Sequence, residues 1–471
     1  MTYWIDVEDL FEYVLVARRP SGIQRLSYEL YRALLAERPG EIAFCRHDRI
    51  RDTLRAVPWS EVEALFQDLT QTAGRKALSG MGASGAMTQK LGQAGTARRL
   101  ASRLPADIRL PMGQVMRSQA AAIQAGVLLG RGLMAALRRQ LRPAQTRPGQ
   151  DAVAGGGDLK ALAKPGDMLL ILGSPWFRTD YGELLERVKQ ATGLEVCLLV
   201  YDLIPVFRPE FCDPGLVRTF TAWFRSTLPA VDRFFAISQA TARDLERLAE
   251  RMGLRLPGPV LTLPIGSGFG QMPDASQGRT ARVKALPPGF ALFVSTMEAR
   301  KNHLLAFRAW RQLLEEMPRD QVPSLVFAGR IGWMVADLLQ QLENCQWLEG
   351  KVVLVDDPTD DELAALYADC RFTLFPSHYE GWGLPVTESL AFGKPCIASS
   401  VTSVPEAGGS FCFYHHPEDV PEAVEILRRI LSHPGEIKAL EDRIRTEFQP
   451  VPWSATARAL LSGLEAPQVP D

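Results

Sequence analysis

The sequence predicts an α/β protein made of two domains, each built on a mainly parallel sheet. Three observations carry this. Short apolar runs alternate with amphipathic helical patterns through most of the 471 residues. The rhythm breaks once, at the Pro- and Gly-containing stretch "GQMPDASQGRTARVKALPPG", and then restarts. A chain of 471 residues is also too long for one ordinary domain. The boundaries that follow are 1–275 for an N-terminal domain, 276–288 for a linker, 289–450 for a C-terminal domain and 451–471 for a last helix crossing back to the first domain.

In chain order, "YWIDV" reads as a strand, and "SGIQRLSYELYRALLAE" as a helix with Ile23, Leu26, Leu30 and Leu34 on one face. "DMLLILG", "EVCLLVYDLI", "RFFAIS" and "PVLTLPIG" read as further strands, with the helical patterns "GELLERVKQATG" and "SQATARDLERLAER" among them. After the break, "FALFVST", "SLVFAGR", "KVVLVDD" and "FTLFP" are strands. Between these lie the helices "LLAFRAWRQLLEEM", "VADLLQQLEN" and "DELAALYADC", and "WSATARALLSGLEAP" closes the chain as a helix. Alternation of this kind places ligands at the carboxyl ends of the strands.

The composition, 46% hydrophobic and 23% charged, is that of a globular protein. Seven scattered cysteines without a C-x-x-C spacing argue against a disulfide framework or a zinc site and fit a reducing cytoplasm. The start, "MTYWIDVEDLFEY", has acidic residues where a signal peptide needs a basic region and an apolar core. The best candidate for a membrane span, "AAIQAGVLLGRGLMAAL", carries Arg131 in its middle. The expectation is a soluble or peripheral protein.

One segment stands apart. Residues 71–149 hold thirteen Lys and Arg against the single acid Asp107, a net +12 that leaves −13 for the rest of a chain whose total is −1. "GVLLGRGLMAALRRQLR" within it reads as a basic amphipathic helix suited to an anionic membrane surface. The span has no Phe, Tyr or Trp to stack bases, so nucleic acid is not the expected partner. A solvated insertion without a partner is the other reading.

The chemistry concentrates in "FPSHYEGWGLPVTESLAFGKPCIASS". A buried strand ends at Phe375, Gly381 and Gly383 allow a tight turn, and Pro385 suits the first position of a helix running to about Gly393. Strand, glycine turn and helix N-terminus together make a phosphate site, because free backbone N–H groups and the helix dipole both favour negative charge. Glu388, in the first turn, can accept hydrogen bonds from two neighbouring ribose hydroxyls, and Glu380, before the turn, can reach a sugar beyond the phosphates. The alternative is that both glutamates are solvated or cap the helix.

This stretch resembles the E-x7-E signature of family 4 retaining glycosyltransferases, which have the two-domain GT-B fold with Rossmann-like halves facing across a cleft. "VSTMEARKNHLLAF", "VFAGRIGW", "DDELAALYADCRFTLFPS" and "TSVPEAGG" follow in the family's order. "WIDVEDLFEY", "RRPSGIQRLSYEL" and "YDLIPVFRPEF" resemble the subgroup containing mannosyl- and rhamnosyltransferases of bacterial surface polysaccharides. The resemblance implies that Glu388 holds the nucleotide ribose and Glu380 the donor sugar. It places backbone N–H groups around Gly381, Gly383 and Leu384 at the diphosphate, with Gly22 letting the phosphates approach and Thr296 beside them. Lys301 would neutralise the leaving phosphate, so that no divalent metal or other cofactor is needed.

Two departures shift roles. Many members of the family have an arginine where this chain has Ser295 and Thr296, and Arg300 would supply that second charge. Many also have a histidine where this chain has Tyr201, ahead of Asp202. Tyrosine can hydrogen-bond a sugar but cannot take a proton near neutral pH, which makes Asp202 the stronger candidate for a contact to acceptor or donor. Arg25 is either a further contact or a surface cation. Trp176 is read as packing, Trp453 as an anchor for the last helix, and the histidines as structural or solvated. "DD" at Asp356 and at Asp360 is read as loop and helix cap. The implied function is transfer of a hexose, mannose from GDP-mannose, to a lipid-linked or growing glycan at the cytoplasmic face of the membrane. A nucleotide-sugar 2-epimerase of the same architecture, and a catalytically silent sugar-binding or scaffold subunit, are the rivals.

Overall fold

A computed structural model describes residues 1–16, 20–48, 51–79, 156–267 and 274–467. The N-terminal sheet contains β1 (Tyr3–Asp6), β2 (Ile42–Asp48), β3 (Thr53–Val57), β4 (Met168–Ile171), β5 (Glu195–Val200), β6 (Arg233–Ala236) and β7 (Leu261–Thr262). Its order is β3-β2-β1-β4-β5-β6-β7, parallel except for the β2–β3 hairpin at one edge. The C-terminal sheet contains β8 (Ala291–Val294), β9 (Leu325–Ala328), β10 (Val352–Val355), β11 (Phe372–Phe375), β12 (Cys396–Ser399) and β13 (Cys412–His415). Its order is β10-β9-β8-β11-β12-β13, with every pair parallel.

The strands β4, β8 and β9 are short apolar runs buried along their whole length, as parallel strands covered by helices on both faces must be. Each sheet has its own core, one around Leu169, Leu198 and Trp223 and the other around Phe293, Trp310 and Phe327. In each sheet the order reverses once, between β1 and β4 and between β8 and β11. A crevice opens beyond the carboxyl ends of the strands at such a reversal, because the flanking connections leave in opposite directions. The architecture is the expected pair of Rossmann-like domains.

Several elements differ from the sequence reading. The run "EVCLLVYDLI" leaves the sheet at Val200, and Ile204–Phe207 instead forms a helical turn started by the Asp202 carboxylate, which accepts the Ile204 N–H at 3.1 Å. Only Leu261–Thr262 of "PVLTLPIG" pairs in the sheet. The β2–β3 hairpin has no counterpart in the apolar pattern, since Arg46, His47, Asp48 and Arg55 interrupt it on a half-exposed edge. The helix Pro214–Thr227, capped by Asp213, was signalled only by its Asp-Pro start.

The last helix, Trp453–Glu465, lies on the N-terminal domain beside the helix Gly22–Glu37. Ion pairs join Arg458 to Glu37 and Arg38 to Glu465, each at 2.7 Å. A Cβ at Gly266 would come within 2.3 Å of the Trp453 ring, so that indole is seated directly on the first domain.

The chain divides into two compact units. One comprises Met1–Leu10, Pro20–Val62 and Gly156–Asp471 and contains both sheets. The other comprises Phe11–Arg19 and Glu63–Gly155 and includes most of the helix Trp59–Ser79. The basic segment 71–149 lies outside the described residues beyond residue 79. Among the described residues no helix is long and apolar enough to cross a membrane. The seven cysteines form no disulfide.

Candidate active site

The site forms where β8 and β11 diverge. Beyond β11, Ser377 to Gly383 turn back on themselves before the helix Leu384–Ala391 begins. Gly383 has φ 123°, a conformation other residues rarely adopt, and a Cβ at Gly381 would lie 2.0 Å from the Tyr201 carbonyl oxygen of the first domain. Both glycines are therefore required by the fold itself. Pro385 is the second helical residue, not the first. Glu388 is the fifth, so it opens the second turn rather than sitting in the first.

Beyond β8 the chain makes the tight turn Ala299–Lys301 and ends it at Asn302 in a left-handed conformation, φ 64°. The Asn302 side chain caps the following helix through the Leu305 N–H at 3.3 Å and donates to the carbonyls of Pro376 and Pro417 at 3.1 and 2.8 Å. One side chain thereby locks the Arg300–Lys301 pair against the turn that carries Glu380.

Glu380 is 7% exposed. One carboxylate oxygen accepts from Lys301 Nζ and from Ser377 Oγ, both at 2.6 Å, and the other pairs with Arg300 at 2.8 Å. Burial alone would raise its pKa, but the neighbouring Arg300 and Lys301 charges and these hydrogen bonds bring it down to about 2. Arg300 also pairs with the buried Glu298 at 2.7 Å and donates to the Tyr379 carbonyl at 2.6 Å. Burial opposes its charge, yet Glu380 and Glu298 keep it firmly protonated. Burial and the adjacent guanidinium draw the Lys301 pKa downward, with Glu380 opposing.

Glu388 has a different setting. Its carboxylate accepts from the Tyr367 hydroxyl at 2.8 Å, and among the described residues no cation pairs with it. Burial raises its pKa, opposed by that hydrogen bond and by the more distant Arg25 charge. Arg25 itself pairs with Asp360 at 2.5 Å, joining the two domains at this end of the site.

The eleven residues singled out from the sequence (Gly22, Tyr201, Asp202, Thr296, Arg300, Lys301, Glu380, Gly381, Gly383, Leu384 and Glu388) all line one cavity of about 400 Å³ between the two sheets. Gly22 is the first residue of its helix, and the nearest atom to a Cβ there would be Leu384 Cδ1 at 3.6 Å. The protein itself does not crowd that position, and two helix N-termini meet at it. Such a pair is suited to an anion.

Tyr201 lines the cavity, but its hydroxyl is engaged elsewhere. Its hydroxyl donates to the Leu172 carbonyl at 2.6 Å inside the first domain, and burial pushes its pKa well up. It lines the cavity without offering its hydroxyl proton to a sugar, because the end of β4 has already taken it. Asp202 faces the cavity with its pKa raised by burial and lowered by Arg300. His303 is stacked on Phe293 at 4.1 Å, and burial with the Lys301 charge lowers its pKa to about 3. Among the described residues no group of three or more His, Cys, Asp or Glu is placed to hold a metal.

Sequence reading missed three supporting residues. Ser377, Glu298 and Tyr367 all lie within the quoted motifs, where nothing marks the first two as more than ordinary polar residues. Tyr367, on the helix Asp360–Asp369, carries no local signal for its contact with Glu388, which lies on a different helix.

Residues 278–447 match the family described as glycosyl transferases group 1. The chain is 30% identical over 260 residues to the serotype-specific mannosyltransferase WbdA of Escherichia coli, covering 52% of this chain and 31% of that protein. It is 39% identical over 132 residues to the O-antigen chain mannosyltransferase B of Escherichia coli, covering 28% of this chain and 34% of the relative. The chain thus spans about a third of the length of these curated relatives. Among solved structures, an α,α-trehalose-phosphate synthase (UDP-forming) from Burkholderia vietnamiensis is similar with a TM-score of 0.49 and 15% identity, over 65% of this chain and 76% of that one.

Proposed function

We propose that this chain is a retaining, metal-independent glycosyltransferase that moves mannose from GDP-mannose to a lipid-linked or growing glycan in surface polysaccharide synthesis. The observation that supports it best is the convergence of Glu380, Glu388, Arg300, Lys301 and two helix N-termini on one cavity. The mannosyltransferase names of the relatives support the choice of sugar.

In this reading the diphosphate lies between the two helix N-termini, with Glu388 on the ribose and Glu380 on the sugar hydroxyls. The bond between the sugar C1 and the phosphate oxygen breaks, and its electron pair stays on that oxygen. Lys301 and Arg300, held in place by Glu380, stabilise the developing charge without reorganising. The acceptor hydroxyl forms the new bond on the same face and passes its proton to the departing phosphate. Asp202, at the acceptor side, orients that hydroxyl.

The reading extends to location: the enzyme works at the inner face of the cell membrane, held on anionic lipid by the basic segment 71–149. The support is the +12 charge of that segment in the sequence.

The test is a binding panel of GDP-, UDP-, dTDP- and ADP-sugars on the purified protein, followed by transfer in EDTA and determination of product anomeric configuration. Tight binding of GDP-mannose and an α-linked product formed in EDTA are expected. Preference for another nucleotide overturns the donor assignment, and activity that needs Mg²⁺ or Mn²⁺ overturns the metal-free mechanism.

A further inference from the structure

A second cavity, of about 240 Å³, adjoins the first and shares Ile23, Tyr201, Asp202 and Arg300 with it. Its wall is rich in aromatic residues, and two of its residues, Arg300 and Trp333, come from the opposite domain. Trp333 lies in the loop between β9 and the helix Ala336–Asn344, is 49% exposed, and donates its indole N–H across the cleft to the Phe211 carbonyl at 3.0 Å. The Phe211 ring is in turn stacked on His378 of the C-terminal domain, centroids 5.2 Å apart.

The loop that carries Trp333 is braced on the donor side. Gly332 N–H donates to the Met297 carbonyl and Met297 N–H to the Arg330 carbonyl, each at 2.8 Å. A Cβ at Gly332 would come within 2.8 Å of Thr296 Cγ2, a residue of the donor cavity. Met334, next to Trp333, is held at φ 59°, a conformation that costs a non-glycine residue about 1 kcal/mol or more. An indole left half exposed at a cavity mouth, with a strained neighbour and a backbone locked to the donor segment, is not explained by packing alone.

We infer that Trp333 is the acceptor-positioning residue of the transfer proposed above: its indole face receives the pyranose ring of the accepting sugar and directs a hydroxyl toward Asp202 and the donor C1. The C–H face of a pyranose is apolar and weakly positive, which suits the negative face of an aromatic ring. The second cavity, at about 240 Å³, has the size of a single saccharide ring, and Trp176 and Phe211 also line it. The inference rests on the glycosyltransferase reading and adds the element that selects the acceptor.

The experiment compares Trp333→Ala, Trp333→Phe and the loop control Ile331→Ser, using a free oligosaccharide acceptor and its lipid-linked form. The brace at Gly332 is backbone, so truncating the indole leaves it in place. Trp333→Ala should raise the acceptor KM about tenfold, equivalent to ~1.4 kcal/mol, with the donor Kd unchanged. Trp333→Phe keeps an aromatic face without the N–H and should recover most of that loss, and Ile331→Ser should leave the acceptor KM alone.

An unchanged acceptor KM in Trp333→Ala, with transfer continuing, overturns the inference and leaves the glycosyltransferase reading standing. A defect confined to the lipid-linked acceptor also overturns it, since the contact would then be with lipid. Failure of Trp333→Phe to recover shows that the tie to Phe211 carries the effect and overturns the stacking role. Wild-type protein that binds no nucleotide-sugar overturns both readings.

Discussion

The two ends of the donor cavity carry the same side chain in opposite electrostatic settings. Glu380 is compensated twice, by Arg300 and Lys301, and its carboxyl stays ionised down to about pH 2. Glu388, eight residues on, accepts from a tyrosine hydroxyl and, among the described residues, pairs with no cation, and burial raises its pKa. The difference teaches what each end is built to do. The Glu380 end is organised before any ligand arrives, and in the proposed transfer its cations stand where charge develops. The Glu388 end holds a carboxylate with spare accepting capacity, which a diol can satisfy.

Breaking the Glu380 end should have the largest effect. Lys301→Ala is expected to lower kcat by about 10²–10³-fold, the scale for removing one electrostatic donor from a transition state, with a smaller change in donor Kd. Steady-state kinetics at saturating donor checks this, and a kcat within threefold of wild type removes Lys301 from the chemistry. Glu380→Ala leaves Lys301 without its carboxylate partner and Arg300 with Glu298 alone, and should cost about 3–5 kcal/mol of stability, measured by denaturant unfolding.

Breaking the Glu388 end should be milder and of a different kind. Glu388→Ala is expected to weaken donor binding about tenfold to a hundredfold, since a charge-assisted hydrogen-bond partner is worth about 1.5–3 kcal/mol. Calorimetry on folded protein reads this directly, and unchanged affinity would take Glu388 out of the site.

pH sharpens the contrast, because the two shifts have opposite signs. The depressed Glu380 pKa contributes stability that is present above the ordinary value of 4.5 and is lost as pH falls toward about 2. The raised Glu388 pKa contributes stability that is present below 4.5 and is lost as pH rises through the folded value. Glu388→Gln should therefore stabilise the unliganded protein at pH 7–8 relative to wild type, and that gain should vanish near pH 4. Glu380→Gln should destabilise at pH 7 and converge on wild type near pH 2. Parallel melting curves that show the same sign for both variants would contradict the comparison.

Neither end should respond to loss of the basic segment. Deleting 71–149 is expected to leave the donor Kd within twofold of wild type while abolishing sedimentation with phosphatidylglycerol vesicles at low salt. Each basic residue near such a surface contributes roughly 1 kcal/mol, weakened as salt shortens the screening length. Full-length protein that ignores the vesicles would make the segment a solvated insertion.

The sequence by itself determined the two sheets and the position of the donor turn. Fully buried parallel strands are contiguous apolar runs, and a strand–glycine–helix junction is written in consecutive residues, so "FTLFP" and "GWGLP" could be read without knowing their neighbours in space. It placed Glu380, Glu388, Arg300 and Lys301 in one site through a resemblance, since nothing local connects residues 301 and 380. Only the tertiary structure decided how these groups are satisfied. The Tyr201 hydroxyl went to the Leu172 carbonyl, Tyr367 went to Glu388, and Arg300 divided itself between Glu298 and Glu380. Each of these choices is a buried polar group taking the nearest available partner. That partner is set by which strand ends the folded sheets bring together, and Tyr367 reaches Glu388 from 21 residues away and Lys301 reaches Glu380 from 79. The edge hairpin β2–β3 and the placing of Trp333 over the second cavity belong to the same class: their residues look like ordinary surface until a distant part of the chain supplies the partner, Asp158 for Thr53 and Phe211 for Trp333.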